Sequence, residues 1–229
     1  MNSLAPVSVI VPVRNAAAHV ATALESVRAQ SPRPAEILVI DGGSTDGTLE
    51  IAERYPDVRL IHQQGRGLAA ARNQAIQKSR SPWIAFCDGD DRWAENALTL
   101  RLQAFESNPH ALAVIGRVIL EAIGSATATA AQRSRIGQPV PGFTPGALLA
   151  RREAFEKIGV FDESLAIGTD SDWFVRLQQS AYPVVQIEQV VLWKGARGTS
   201  LSSDVAAYRR ELLTVARRFI ERNRGTHQP

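Results

Sequence analysis

The sequence predicts an α/β fold with a mostly parallel central sheet flanked by helices, and three observations carry that prediction. Short apolar runs, each long enough for one buried strand, alternate with stretches of helical spacing through residues 1–92. Two of those runs stop at an acid, Asp41 and Asp88. The 229 residues are 45% apolar and 21% charged, the composition of an ordinary globule able to bury a sizeable core.

Taken in order, Val7–Val11 is the first strand, and Pro12 is expected to stop it because proline cannot donate to a sheet ladder. Asn15 is a candidate cap for a helix whose Val20, Leu24 and Val27 share one face. Pro32 and Pro34 close the connection to a second strand, Glu36–Ile40, which ends at Asp41. The Gly42–Gly47 turn carries Ser44, Thr45 and Asp46, so a helix is expected from about Asp46 to Arg54. Val58–His62 is a third strand, and Gly65-Arg66-Gly67 turns the chain into a helix over Leu68–Lys78. The run Trp83–Cys87 follows and ends in the acids of Asp88-Gly89-Asp90-Asp91.

The second half has a different texture. A helix carries Leu98, Leu102 and Phe105 inward, and Leu112–Ile123 has strand character. Gly124–Pro141 is poor in large apolar residues and is read as a mobile loop. Gly146–Ala150 is a short strand, Arg152–Ile158 a helix, and Asp170-Ser171-Asp172-Trp173 opens another helix with Phe174 and Leu177 inward. Val184–Ile187 and Val190–Trp193 are the last strands. The organisation expected is one domain over 1–204, with halves at about 1–92 and 93–204, then a basic amphipathic helix and tail over 205–229.

Charge and composition narrow the function classes. Net charge is +3, and Tyr208–Arg224 alone holds six arginines against two glutamates. The rest is slightly acidic, so a nucleic-acid face is not expected. The tail helix has Tyr208, Leu212, Val215 and Phe219 on one face; it is read first as a packing helix, with membrane contact as the minority reading. The single cysteine, Cys87, lies in an apolar run and reads as a core residue, and the four histidines lack zinc-like spacing. No run reaches membrane-spanning length, and residues 1–6 show no signal-peptide core, so the expected location is cytoplasmic.

The acids carry the chemistry. Unpaired carboxylates cannot sit inside a sheet, so Asp41 and Asp88 belong at its open C-terminal edge, where ligands bind in such folds. The carboxylates of Asp88, Asp90 and Asp91 repel one another unless a cation joins them, and hard divalent metals prefer oxygen ligands. A solvated acidic turn is the bland alternative for that stretch taken alone.

In combination these stretches resemble the inverting family-2 glycosyltransferases of GT-A fold, from about Val7 to Ser202. Val-Ser-Val-Ile-Val-Pro-Val-Arg-Asn from Val7 is similar to that family's opening, and Leu24, Ser26 and Gln30 fall where its first helix carries L, S and Q. Ile40-Asp41-Gly42-Gly43-Ser44-Thr45-Asp46-Gly47-Thr48 resembles V-D-D-G-S-T-D-x-T. Gly67–Asn73 resembles G-x-x-x-A-R-N, and Phe86–Asp91 resembles F-x-D-x-D-D.

The resemblance implies a nucleotide-binding first half and an acceptor-binding second half. Pro12, Val13, Asn15, Asp41, Arg72, Asp88 and Gly89 would contact the nucleotide. Asp90, with Asp88 and Asp91, would hold Mg²⁺ or Mn²⁺ on the donor diphosphate. Asp170, in Thr169-Asp170-Ser171-Asp172-Trp173, would be the base that takes the acceptor hydroxyl's proton. Asp172 is the alternative base, and a helix-start role suits it as well. Asn73 and Ser26 are read as structural, and Trp173 as core. Arg197 stands where the family often has a histidine that completes the metal site; arginine cannot ligate a metal, so Arg197 or Lys194 would meet the diphosphate directly. The implied reaction moves a sugar from a nucleotide donor, a UDP-sugar by the family's habit, to a hydroxyl of a glycan or lipid-linked acceptor in polysaccharide synthesis. A non-catalytic nucleotide-binding module is the alternative. Nucleotidyl transfer would need a glycine-rich loop with lysine after the first strand, which Pro12–Asn15 does not supply.

Overall fold

The computed structural model describes residues 4–122, 136–196 and 205–225. The first half follows the expected alternation: β1 Leu4–Val13, α1 Val20–Arg28, β2 Arg33–Asp41, α2 Thr48–Ala52, β3 Val58–His62, α3 Gly67–Lys78 and β4 Trp83–Phe86. β1 pairs in parallel with both β2 and β4, and β2 with β3. After it come β5 Arg92–Trp93, α4 Ala97–Ser107, β6 Ala113–Ala122, β7 Pro139–Pro141, a 3₁₀ turn Pro145–Ala147 and β8 Leu148–Arg151. The chain ends with α5 Glu153–Lys157, α6 Thr169–Gln179, β9 Val184–Ala196 and α7 Val205–Gly225. The sheet runs β3-β2-β1-β4-β8-β6-β9-β5, with β7 on the β6 edge.

Alternation of side chains along each strand explains why both faces need helices. On β1, Val9 and Val11 join a core with Val20, Leu24 and Leu98 of α1 and α4. Ile10 points to the other face and joins Leu38, Ile84 and Phe86 against α3, α5 and α6. Trp173 is fully buried there; its ring stacks on Phe155 at 5.1 Å and its indole N–H donates to the Gly159 carbonyl at 2.9 Å. It is a core residue.

Several boundaries differ from the expectation for physical reasons. β1 continues through Pro12 to Val13. The Pro12 carbonyl accepts from Gly89 N–H, beyond the last β1–β4 pair at Ile10 and Phe86, so the missing proline N–H forfeits no ladder bond there. Asn15 caps no helix: α1 starts at Val20, and Asn15 sits at φ 51° bonded to the Ser44–Thr45 loop. The last strand is continuous, with register shifts where two strands were expected. Within the expected Gly124–Pro141 loop, Pro139–Pro141 is a strand on β6; 124–135 lie outside the described residues.

Candidate functional site

The C-terminal ends of β1, β2 and β4 meet at one edge, and two loops there are stitched together. Asn15 N–H donates to Ser44 Oγ at 2.9 Å, and Thr45 N–H donates to Asn15 Oδ1 at 2.9 Å. Ala16 N–H reaches Thr48 Oγ1 at 2.8 Å, and Ala17 N–H reaches Asp46 Oδ2 at 3.0 Å. Asp41, 3% exposed, accepts from Gly43 N–H at 3.0 Å and Ser44 N–H at 3.1 Å. The Pro12–Asn15 segment and the Asp41 loop are therefore joined along this edge. Gly89 packs against the same segment: a Cβ there would stand 2.9 Å from Val13 Cγ1 and 3.4 Å from the Pro12 carbonyl, so glycine lets the acidic loop lie on β1.

Arg72, on α3, occupies the middle of the edge with no exposed surface. Its Nη2 donates to Asp88 at 2.9 and 3.1 Å, and its Nη1 contacts Asp170 of α6. The Phe161 ring lies 5.4 Å from the guanidinium. Burial would lower the Arg72 pKa, but Asp170 and Asp88 outweigh it and hold the group above its ordinary value. Burial also works against the Asp88 carboxylate; Arg72 and then Lys194 reverse that and hold it below the usual carboxylate range. Arg72 thus bridges two acids through its two terminal nitrogens.

Lys194, near the end of β9, brings the second cation. Its Nζ lies 3.2 Å from Asp91 Oδ2 and 3.7 Å from Asp88 Oδ2, and the Gly195 N–H donates to Asp91 Oδ1 at 3.0 Å. Burial pushes the Asp91 carboxyl up to about 7, with Asp88 and Asp90 adding to the rise against Lys194 and the Gly195 amide. For Lys194, burial would lower the pKa, but Asp91, Asp88 and Asp90 raise it above its ordinary value. Asp90 and Asp91 border a small cavity of about 180 Å³ shared with His19, Glu121 and Trp193.

The three acids do not form the expected metal cage. Asp88 is held by Arg72 and Asp91 by Lys194, and no group of three His, Cys, Asp or Glu is arranged for a metal among the described residues. The donor set does fit an ion carried on a diphosphate, because Mg²⁺ is commonly held by one or two carboxylates plus substrate phosphates and water. Asp90 is half-buried and borders the small cavity.

Asp170 stands in the first turn of α6, its side chain 29% exposed, with Arg72 Nη1 and Thr169 Oγ1 both on Oδ1. Asp172 is buried and does not share this edge. It takes Arg176 Nε at 2.8 Å, and Arg176 also donates to the Ile158 and Val160 carbonyls. The four-residue spacing of Asp172 and Arg176 was a visible signal for that helical pair. Asn73 bonds the Phe161 backbone from both sides of its amide, and Gln30 and Ser26 hold the 93–98 segment after the acids. Arg197 lies outside the described residues.

Comparison with known proteins decides the family. The model of glycosyl transferase family 2 matches residues 8–159, more than half of the chain. The chain belongs to glycosyl transferase family 2. Among its relatives, the uncharacterized glycosyltransferase YibD of Escherichia coli is 43% identical over 95 residues, 40% of this chain and 28% of YibD. Glycosyltransferase AglE of Haloferax volcanii is 30% identical over 207 residues, 83% of this chain and 67% of AglE. The chain thus spans less than a third of YibD. Among solved structures, mannosyltransferase PcManGT of Pyrobaculum calidifontis, in complex with GDP-Man and Mn²⁺, superposes with a TM-score of 0.69 at 23% identity, over 94% of this chain and 64% of that one. TarS of S. aureus, in complex with UDP-GlcNAc, gives 0.66 at 20% identity, over 86% of this chain and 60% of that one. These likenesses establish the GT-A-type fold for this family-2 chain. The family match ends at residue 159, so the placement of Asp170 rests on the geometry above.

Proposed function

We propose that the chain transfers a sugar from a nucleoside-diphosphate sugar to an acceptor hydroxyl with inversion at the anomeric carbon. The observation that carries this reading is Arg72, which joins Asp88 of the sheet edge to Asp170 of the second half in one site. The solved neighbours with UDP-GlcNAc and with GDP-Man and Mn²⁺ support a nucleotide-sugar donor. A UDP-sugar remains the first donor to test. One relative, of Bacillus subtilis, is named a putative teichuronic acid biosynthesis glycosyltransferase, which supports an acceptor among cell-envelope polysaccharides, glycan or lipid-linked.

The Pro12–Asn15 segment, Asp41 and Gly89 would seat the nucleoside. Lys194, and Arg197 beyond it, would face the diphosphate, whose charge matches theirs. Asp90 would hold Mg²⁺ or Mn²⁺, which when bound offsets the charge that develops on the leaving diphosphate oxygen. Asp170 Oδ1 is held by Arg72, which leaves Oδ2 for the acceptor hydroxyl. As the acceptor oxygen bonds to the anomeric carbon, the bond to the diphosphate oxygen breaks. The hydroxyl proton passes to Asp170 and the nucleoside diphosphate leaves.

No described helix is long and apolar enough to cross a membrane. On α7, Leu213 and Ile220 are exposed at 61% and 48%, beside exposed Arg209 and Arg217. That face suits peripheral contact with an anionic bilayer at the cytoplasmic side. Recovery of all protein away from anionic vesicles in a flotation assay would remove this part of the proposal.

Calorimetric titration of UDP and of GDP, with and without Mn²⁺, on wild type and Asp90→Ala, tests the donor site. Mn²⁺-dependent binding lost in the variant is the expected result. Metal-independent binding would move the diphosphate contact to Lys194 and Arg197. Binding without turnover of any nucleotide sugar would favour a nucleotide-binding module instead.

A further inference from the structure

The N-terminus of α6 has no side-chain cap from its own neighbourhood. A carboxylate from α7 takes that place. Glu211 Oε2 accepts from Gly168 N–H at 2.7 Å and Ile167 N–H at 2.8 Å, and Oε1 accepts from Ala166 N–H at 3.1 Å. Three successive amides converging on one anion form a backbone nest, a strong and directional arrangement.

The same face of α7 makes two more attachments. Val215 is 3% exposed, one turn beyond Glu211. A Cβ on Gly168 would meet Glu211 Cβ at 3.3 Å and Val215 Cγ2 at 3.8 Å, so the helices approach through a glycine. A turn further on, Arg218 pairs with Asp162 at 2.5 Å, and Asp162 also accepts from Ser164 N–H at 2.8 Å. Residues 211, 215 and 218 lie on one helical stripe. That stripe holds the 162–168 segment at both ends, and Asp170 follows two residues later.

We infer that Glu211 is a positioning residue for the transferase reaction: α7 clamps the 162–168 segment so that the first turn of α6 presents Asp170 to Arg72 and to the acceptor. This rests on the reading of Asp170 as the base. Glu211 itself touches no reacting atom. Displacement of a catalytic group by about 1 Å can cost about a hundredfold in rate, so a cap at this distance is enough to matter.

The test uses the full chain with Glu211→Ala, Glu211→Gln and Gly168→Ala. Readouts are hydrogen exchange by peptide, UDP affinity in Mn²⁺, and release of nucleoside diphosphate from UDP-glucose, UDP-GlcNAc and GDP-mannose with acceptor extract. In Glu211→Ala we expect exchange over 162–172 to rise about tenfold while the β1–β4 edge keeps its protection. UDP affinity should stay within about twofold, and kcat should fall at least about tenfold with little change in donor KM. Glu211→Gln, which keeps an acceptor oxygen, should recover part of the protection and rate. Gly168→Ala, which crowds the same contact from the other side, should reproduce the exchange pattern even if Glu211→Ala folds poorly. Unchanged exchange over 162–172, or a uniform rise across the chain in all variants, would overturn the inference. Should Asp170→Asn keep full turnover, the base reading fails; should Asp170→Asn be dead while Glu211→Ala turns over like wild type, only the clamp fails.

Discussion

Arg72 and Asp170 are 98 residues apart in sequence and in contact at the sheet edge, while the other arm of the same guanidinium holds Asp88 at 2.9 Å. One buried cation thus sets the separation of an acid that follows β4 and an acid in the first turn of α6. Removing it leaves two carboxylates facing each other with little water. Arg72→Ala is expected to cost about 3–5 kcal/mol of stability, as for other broken buried pairs, and to reduce turnover at least about a hundredfold. Arg72→Lys should not restore it, because one ammonium lacks the fork that reaches two carboxylates at once. Thermal denaturation and diphosphate release measure both effects; wild-type turnover in the lysine variant would show that charge alone suffices.

The two acids of α6 make opposite predictions. Asp170→Asn should lose nearly all transfer yet bind UDP within about twofold of wild type, since the substitution keeps shape but removes the proton acceptor. Asp172→Asn should do the reverse: turnover near wild type, with a stability loss of about 1–3 kcal/mol from the weakened buried pair with Arg176. The pair of variants separates base from helix brace by comparing kcat with denaturation midpoint. Full activity in Asp170→Asn together with none in Asp172→Asn would exchange the roles.

The parallel half of the sheet was legible because β1, β2 and β4 carry apolar runs bounded by turn residues, the pattern of strands buried on both faces; β3, at the sheet edge, carries Arg59 and is only partly buried. β5 and β7 were not, because strands of two and three residues have no period to read, and Pro139 and Pro141 argue against one. The break expected between Ile187 and Val190 is a polar stretch where the register with β6 shifts, which looks like a turn in sequence. At the site, the acids could be placed at the edge from solvation alone. What neutralises them could not: Arg72 and Lys194 reach those acids from distant elements, and a line of sequence shows charges without their distances. Hence the sequence alone suggests three acids around one cation, whereas in the fold Asp88 and Asp91 have cationic side-chain partners.

Gly89 lies between two of those acids for a steric reason. Gly89→Ala places a methyl group 2.9 Å from Val13 Cγ1 and 3.4 Å from Ala16 Cβ, inside ordinary contact distance. The acidic loop must lift from β1 and carry Asp88 and Asp90 with it. The expected outcome is a stability loss of about 1–3 kcal/mol and about tenfold weaker UDP binding in Mn²⁺. Calorimetry alongside urea denaturation distinguishes this from a general packing defect, which would lower stability and leave affinity alone.

The clamp of α7 should loosen in acid, and the sign follows from its two carboxylates. Burial raises the Glu211 pKa, but the amides of Gly168, Ile167 and Ala166, with Arg210, outweigh it and hold the carboxyl below its ordinary value. For Asp162, burial again raises, and Ser164 and Arg218 bring the net below the ordinary value. Both groups therefore bind protons more readily in the unfolded chain. Their contribution is fully present above the unfolded values, about 4.3 for Glu and 3.9 for Asp, and is lost as pH falls through the folded ones. Exchange over 162–172 should rise as pH is lowered from about 6 to about 3, after correction for the intrinsic pH dependence of exchange. In Asp162→Asn with Glu211→Gln, which cannot titrate at these positions, the corrected curve should be flatter over the same window. Parallel curves for wild type and the double variant would assign the acid sensitivity to other carboxylates, Asp88 first among them because Arg72 and Lys194 depress it as well.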